Sequence, residues 1–153
     1  MKEYEILNEN LKMIWREGFN LTNERHTQVS GYVFNDKNQL LIVKNETNWT
    51  IPGGHPENTE KPIETLSREL MEEACVTLKD VVYLGGVEVV EIGETYYQLR
   101  YTAQVNEILP FNTEWETTER LFVSLTDLPK YIKWANGITF SKQIESARKV
   151  WKI

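Results

Sequence analysis

Apolar positions change their spacing along the chain, and each change marks a predicted element. Val29 to Phe34 and Gln39 to Lys44 are two short apolar runs separated by the polar stretch Asn35-Asp-Lys-Asn38, which predicts two strands joined as a hairpin. Ile63, Leu66, Leu70 and Ala74 then recur at three- and four-residue intervals, the signature of a helix with one buried stripe. Val81 to Ile92 and Tyr96 to Val105 are rich in β-branched and aromatic residues, with Gly93-Glu-Thr95 between them, and predict two longer strands. Asp127 to Ile132 predicts a short helical turn, and Ser141 to Trp151 a terminal helix with Ile144, Ala147, Val150 and Trp151 on its apolar side. At the other end, Ile6, Leu7, Leu11, Ile14 and Trp15 lie among charged residues and predict an amphipathic helix over residues 3–17, ending near Gly18. Strands around one central helix, followed by a final helix, suit a mixed sheet covered on both faces. Periodicity alone gives an α/β or α+β chain with a single domain over residues 1–153 and an N-terminal helical extension over residues 1–20. No repeat, low-complexity segment or linker interrupts it.

Composition narrows the function classes. A chain of 153 residues with 41% hydrophobic and 26% charged residues has the make-up of one globular domain with a substantial core. A net charge of -6 argues against gripping nucleic acid through its phosphates, so no stable nucleic-acid binding is expected. It does not argue against a small nucleotide carried with a metal ion, which supplies positive charge locally. One cysteine cannot form an intrachain disulfide, and the start Met1-Lys-Glu-Tyr-Glu-Ile lacks a secretory apolar run. A cytoplasmic protein without membrane insertion is expected, and association into a homodimer is left open.

The chemistry concentrates in one loop and one helix. At roughly 100° per residue, Glu69, Glu72 and Glu73 fall within about a 100° arc on one side of the helix. The bland reading is a solvated acidic face in an acidic chain. Against it, the acids lie beside the buried stripe, so a packed element holds them, and like charges held together are best explained by a divalent cation among them. All-oxygen ligation suits magnesium, with manganese as a substitute. The preceding Trp49-Thr-Ile-Pro-Gly-Gly54 ends in paired glycines, which let backbone turn sharply and approach a ligand or metal through a carbonyl.

These residues carry a resemblance. Gly54, then Glu60 after five residues, then Arg68-Glu69-Leu70-Met71-Glu72-Glu73-Ala74-Cys75-Val76 after seven more, resembles the Nudix box of the Nudix hydrolases. Weaker similarity runs from about Thr27 to Pro129, where Phe122-Val-Ser-Leu-Thr-Asp-Leu-Pro129 is similar to the strand and turn that close that fold. The resemblance implies an α/β/α sandwich with a mixed sheet. It also implies a metal-dependent hydrolase that cleaves the diphosphate linkage of a nucleoside diphosphate joined to another moiety, a nucleoside triphosphate or nucleotide sugar among them. Under it Glu69, Glu72 and Glu73 bind magnesium with the Gly54 carbonyl as a further ligand, or Glu69 is the base that activates water. Arg68 and Glu60 become positioning partners through a bidentate contact, and a late-loop carboxylate joins the site, with Glu116 preferred over Glu114 and Glu119. Glu57 and His55 have weaker claims to metal and substrate.

Three positions depart from the family pattern. Cys75 stands where glycine usually permits a left-handed helix end, which costs a residue bearing a β-carbon about 1 kcal/mol or more. Thr59 replaces a common glycine, and Lys61 stands where a capping side chain is usual, although Pro62 still suits the first helical turn. Tyr96, Tyr97, Trp115 and Trp134 are candidates to stack on a nucleobase, against the ordinary alternative that each packs at the edge of the core. Two other classes bear weighing. A nucleotide-binding sensor on the same fold would bind without turnover, and loss of a box glutamate would favour it. An isoprenoid diphosphate isomerase needs an additional cysteine and a different acid pattern.

Overall fold

The computed structural model describes residues 4–112 and 114–153. Its centre is a pair of strands, β3 (His26–Phe34) and β4 (Leu40–Lys44), whose alternate residues enter two separate cores. Val29, Val33, Leu41 and Val43 pack on one side of the sheet, and Tyr32, Phe34, Leu40 and Ile42 on the other, all essentially inaccessible to solvent. Strands buried on both faces read as continuous apolar runs, which is why these two segments show no clean alternation.

Among the described residues nine strands form one mixed sheet. Along its main path the order is β1 (Tyr4–Asn8), β2 (Leu11–Glu17), β7 (Val76–Glu91), β8 (Glu94–Ile108), β3, β4 and β5 (Trp49–Thr50). β6 (Gly53–Gly54) pairs with β3 and β9 (Glu119–Val123) with β4; β3 and β8 run parallel while the other pairs are antiparallel. Helix α1 (Pro62–Ala74) covers one face through Leu66, Leu70 and Ala74. The short α2 (Leu128–Tyr131) and the terminal α3 (Ile138–Trp151) cover the other through Leu128, Phe140 and Ala147. The result is the α/β sandwich with a mixed sheet that the resemblance implies.

Three expectations are corrected. The N-terminal segment is a β-hairpin, not an amphipathic helix: Tyr4↔Ile14 and Glu5↔Met13 pair across it, and β2 continues the sheet against β7. The period of two in Leu11, Met13 and Trp15 wins because it puts all three on the core of the α3 face, and Asn8 closes the turn by accepting the Asn10 N–H at 2.8 Å. The β3–β4 hairpin pairs only at Phe34↔Leu40, after which β4 turns to β9 over five positions and β6 takes its place against Val29 and Ser30. The predicted strands at 81–92 and 96–105 are longer and meet in a tight turn at Gly93, whose φ is 72°.

Candidate active site

Helix α1 begins at Pro62, whose ring fixes φ and whose missing donor is not needed in the first turn. Glu64 reaches back to accept the Lys61 N–H at 2.9 Å. The reciprocal half of a capping box is absent, because the Lys61 ammonium has nothing to accept with. Of the predicted apolar stripe, Leu66, Leu70 and Ala74 are buried, whereas Ile63 is 45% exposed and Thr65 is buried in its stead. The Thr65 hydroxyl donates to Glu60 at 3.0 Å, so the buried polar group is satisfied by the loop it faces. The helix ends on Cys75 at φ 55°, ψ 45°, the left-handed conformation that the substitution for glycine was expected to strain. Its backbone is tied on both sides, donating to Leu70 and Met71 and accepting from Leu109 at 2.9 Å.

Arg68 organises the loop before the helix. Its Nε donates to one Glu60 oxygen at 2.7 Å and its Nη2 to the other at 3.1 Å, the planar two-pronged contact of a guanidinium with a carboxylate. Nη2 also donates to the His55 carbonyl at 2.9 Å, and Nη1 to Glu69 at 3.0 Å and Glu72 at 3.2 Å. Glu57 stands 3.6 Å from Nη1. The Arg68 hydrogen bond is the largest influence holding the Glu60 carboxyl down at about 2. Loop and helix are thus fastened through one cation, with His55 contributing its backbone and leaving its side chain exposed.

Glu73 lies deeper. One of its oxygens accepts the Gly53 N–H at 2.7 Å. Burial, with the charges of Glu69, Glu116 and Glu72 adding to it, lifts its carboxyl to about 7. Glu69 is raised as well, first by burial and in spite of Arg68. The glycines allow this approach: a Cβ on Gly54 would fall inside the Glu69 carboxylate, and one on Gly53 inside Ser30 and the Val29 carbonyl. Glu116 is exposed in the loop before β9, a loop joined to α1 by the Thr117 hydroxyl donating to the Glu73 carbonyl at 2.7 Å. Glu119 instead pairs with Lys44 at 3.5 Å, and Glu114 stays exposed. Among the described residues no three acidic, histidine or cysteine side chains are already closed about a common point. The donors nevertheless suit a hard divalent cation, because they are all oxygen and because burial and neighbouring carboxylates raise Glu73, and burial raises Glu69 even beside Arg68.

A cavity of about 270 Å³ opens on the other side of Ser30, the residue that pairs with Gly53. Arg100, Gln98 and Gln143 form its polar part, and Trp134, Phe140 and Met13 its apolar part. Sequence reasoning missed these polar residues. The available signal was an arginine flanked by Leu99 and Tyr101 in a strand rich in aromatic and aliphatic residues, the kind of position where a charge needs a special reason. Of the aromatic candidates, Trp134 lines the cavity. Tyr97 stacks on Phe19 with centroids 4.3 Å apart, Tyr96 donates to Glu91 at 2.7 Å, and Trp115 is exposed away from the cavity lining.

With this geometry in place, comparison with known proteins fixes the class. The family model of the NUDIX domain matches residues 24–142, so the chain belongs to the Nudix hydrolase family. No curated protein matches it by sequence. The Bacillus subtilis pyrophosphohydrolase BsRppH, solved as a point mutant, superposes with a TM-score of 0.78 at 16% identity, covering 98% of each chain. A NUDIX hydrolase from Nitrosomonas europaea gives a TM-score of 0.67 at 20% identity, over 83% of this chain and 90% of that one. The NUDIX domain of Shewanella oneidensis NrtR, solved with ADP ribose, gives 0.65 at 19% identity over 85% and 90%. At these identities the superpositions establish the shared fold. No helix among the described residues is long and apolar enough to cross a membrane.

Proposed function

We propose that this chain is a magnesium-dependent hydrolase that cleaves the diphosphate linkage of a nucleoside diphosphate joined to another moiety. The observation that carries the reading is the acidic face of α1 against the Gly53–Gly54 turn, where Glu73 is held at about 7 by burial and by three neighbouring carboxylates. Magnesium, or manganese in its place, would be held by Glu69, Glu72, Glu73 and the Gly54 carbonyl; when bound it offsets charge on the phosphate oxygens and lowers the barrier to attack by water.

The chain's own residues do the remaining work. Arg68 locks Glu60 and the loop to α1, which aims Glu69 and Glu72 from a rigid helix rather than from mobile side chains. Glu73, raised to about 7, is a carboxylate suited to take a proton from water near neutral pH; Glu69 is shifted in the same direction, and Glu116 would join them from the loop before β9. All box acids being present favours turnover over a sensor that only binds. Release of phosphate or pyrophosphate from a panel of nucleotides, and of a nucleoside monophosphate with a sugar phosphate from nucleotide sugars, with and without magnesium, tests the reading. Metal-dependent release from at least one supports it; binding without turnover across the panel would transfer the chain to the sensor class. A cytoplasmic setting accompanies this reading.

A further inference from the structure

The cavity beyond Ser30 has an unusual cation at its base. Arg100 is only 7% exposed, and among the described residues no carboxylate pairs with it. Its Nε donates to Gln143 at 3.0 Å, Nη1 to Gln28 at 3.0 Å, and Nη2 to Gln98 at 2.9 Å. A guanidinium carries donors only, so each glutamine must turn its oxygen towards Arg100 and its –NH2 away from it. The Tyr32 hydroxyl donates to the same Gln143 oxygen at 2.7 Å, which fixes that amide from a second side.

All three glutamines line the cavity, and their amide nitrogens have no partner among the described residues. Thr139, 4% exposed and lining the same cavity, has a hydroxyl without a partner. Of these donors only the Thr139 hydroxyl is fully buried; the amides open on the cavity with no acceptor opposite them among the described residues, so the cavity suits a ligand that presents acceptors. Glu5 of β1 lines the same cavity; its carboxylate accepts the Thr139 N–H and keeps further lone pairs for a donor. Trp134 and Phe140, edge to face with centroids 4.6 Å apart, supply an aromatic wall. The volume lies just below the range of roughly 300–1,000 Å³ usual for whole-ligand pockets, which suits one base with its sugar and phosphates outside.

We propose that this cavity is the base subsite, that it takes guanine, and that the N-terminal hairpin is its specificity element through Glu5; this rests on the hydrolase reading given above. Guanine presents O6 and N7 as adjacent acceptors to the amide nitrogens, and its N1–H and N2–H edge to a carboxylate. Adenine and cytosine would bring an amino donor against amide donors. Uracil has a carbonyl beside its N3–H but lacks N7 and the 2-amino group. The hairpin lies outside residues 24–142, so Glu5 and Met13 are contributions of this chain rather than of the matched domain.

Calorimetric titration with GMP, IMP, UMP and AMP in the presence of EDTA tests the subsite without the metal. GMP is expected to bind at least tenfold tighter than AMP, with IMP between them because it lacks the 2-amino group. Gln98→Glu keeps an oxygen for Arg100 but turns a cavity donor into an acceptor. It should weaken GMP at least tenfold without lowering the melting temperature. Glu5→Gln should abolish the advantage of GMP over IMP. Equal binding of GMP and AMP, no binding of either, or unchanged GMP affinity in Gln98→Glu would overturn the proposal, and an unchanged GMP-to-IMP ratio in Glu5→Gln would remove the hairpin from it. The two readings fail separately: selective GMP binding with no metal-dependent turnover sinks the hydrolase, whereas turnover indifferent to the base sinks the subsite.

Discussion

Two arginines on opposite sides of Ser30 meet opposite surroundings. Arg68 sits on the helix face among Glu57, Glu60, Glu69 and Glu72, one positive group against four negative ones, with Glu73 and Glu116 beyond. Arg100 sits in the sheet among three neutral glutamines, so its charge is met by dipoles alone and burial pushes its pKa down. The first region is left with surplus negative charge and suits a cation; the second is left with surplus donors and suits acceptors. A metal-bound nucleotide carries both complements, a cation on its phosphates and acceptors on its base. The contrast also separates two uses of one residue type, a surface fastener and a buried organiser of amides.

The largest test of the acidic side is Glu73→Gln. Turnover is expected to fall at least about 100-fold while the fold persists, since the amide removes a charged ligand without changing shape. Hydrolysis rates beside a thermal melt check this, and retained activity would exclude Glu73 from the mechanism. Arg68→Lys should follow with a loss of about 10–100-fold in rate, because an ammonium cannot hold Glu60 in two-pronged fashion and still reach Glu72. Its Glu60 partner should lose the depressed pKa, which carboxylate titration by NMR would report.

Arg100→Lys should act mainly on stability. One ammonium cannot serve three separated amides, and the cost of about 2 kcal/mol or more corresponds to a fall of roughly 4–8 °C in Tm for a chain of this length. A larger Tm loss in Arg68→Lys than in Arg100→Lys would break the distinction between fastener and organiser.

Glu73 also predicts a pH dependence. Its folded pKa, about 7, lies above the ordinary 4.5. Below 4.5 both folded and unfolded states hold the proton and the group contributes no difference. Between these values the unfolded chain ionises first, so stability falls as pH rises, and above 7 the loss is complete. Glu69, shifted in the same direction, adds to it. In EDTA, Tm should therefore decline from about pH 5 to about pH 8 and decline less in Glu73→Gln. Magnesium should raise Tm more at the upper end of that range than at the lower, because metal and proton compete for the same oxygens. The smallest effect is Cys75→Gly, which relieves a left-handed cysteine of about 1 kcal/mol and should raise Tm by about 2–4 °C. An unchanged or lower Tm would show that burial of the thiol outweighs the backbone strain.

Much of the acidic region was legible in advance because its members are close in the chain. Glu69, Glu72 and Glu73 share a helix, Glu60 and Arg68 lie eight residues apart, and the Cys75 conformation follows from the helix end it occupies. The N-terminal hairpin was misread because Leu11, Ile14 and Trp15 satisfy a helical spacing while Leu11, Met13 and Trp15 satisfy a strand, and only an open sheet edge at β7 decides between them. Ile63 was misplaced for a related reason. It obeys the stripe's periodicity but lies in the first turn, where it stays exposed.

What the order of residues determined by itself was local: the acidic helix with its glycine turn, the strands buried on both faces, and the family to which that pattern belongs. Periodicity and short-range spacing carry such information because they are properties of neighbouring residues. What only the tertiary structure decided was the cavity. Glu5, Gln28, Arg100, Thr139 and Gln143 come from four different elements, and nothing in their separate surroundings marks them until β1, β3, β8 and α3 are packed together. A buried cation is satisfied by whichever acceptors the fold delivers to it, and that delivery is a matter of topology rather than of sequence distance.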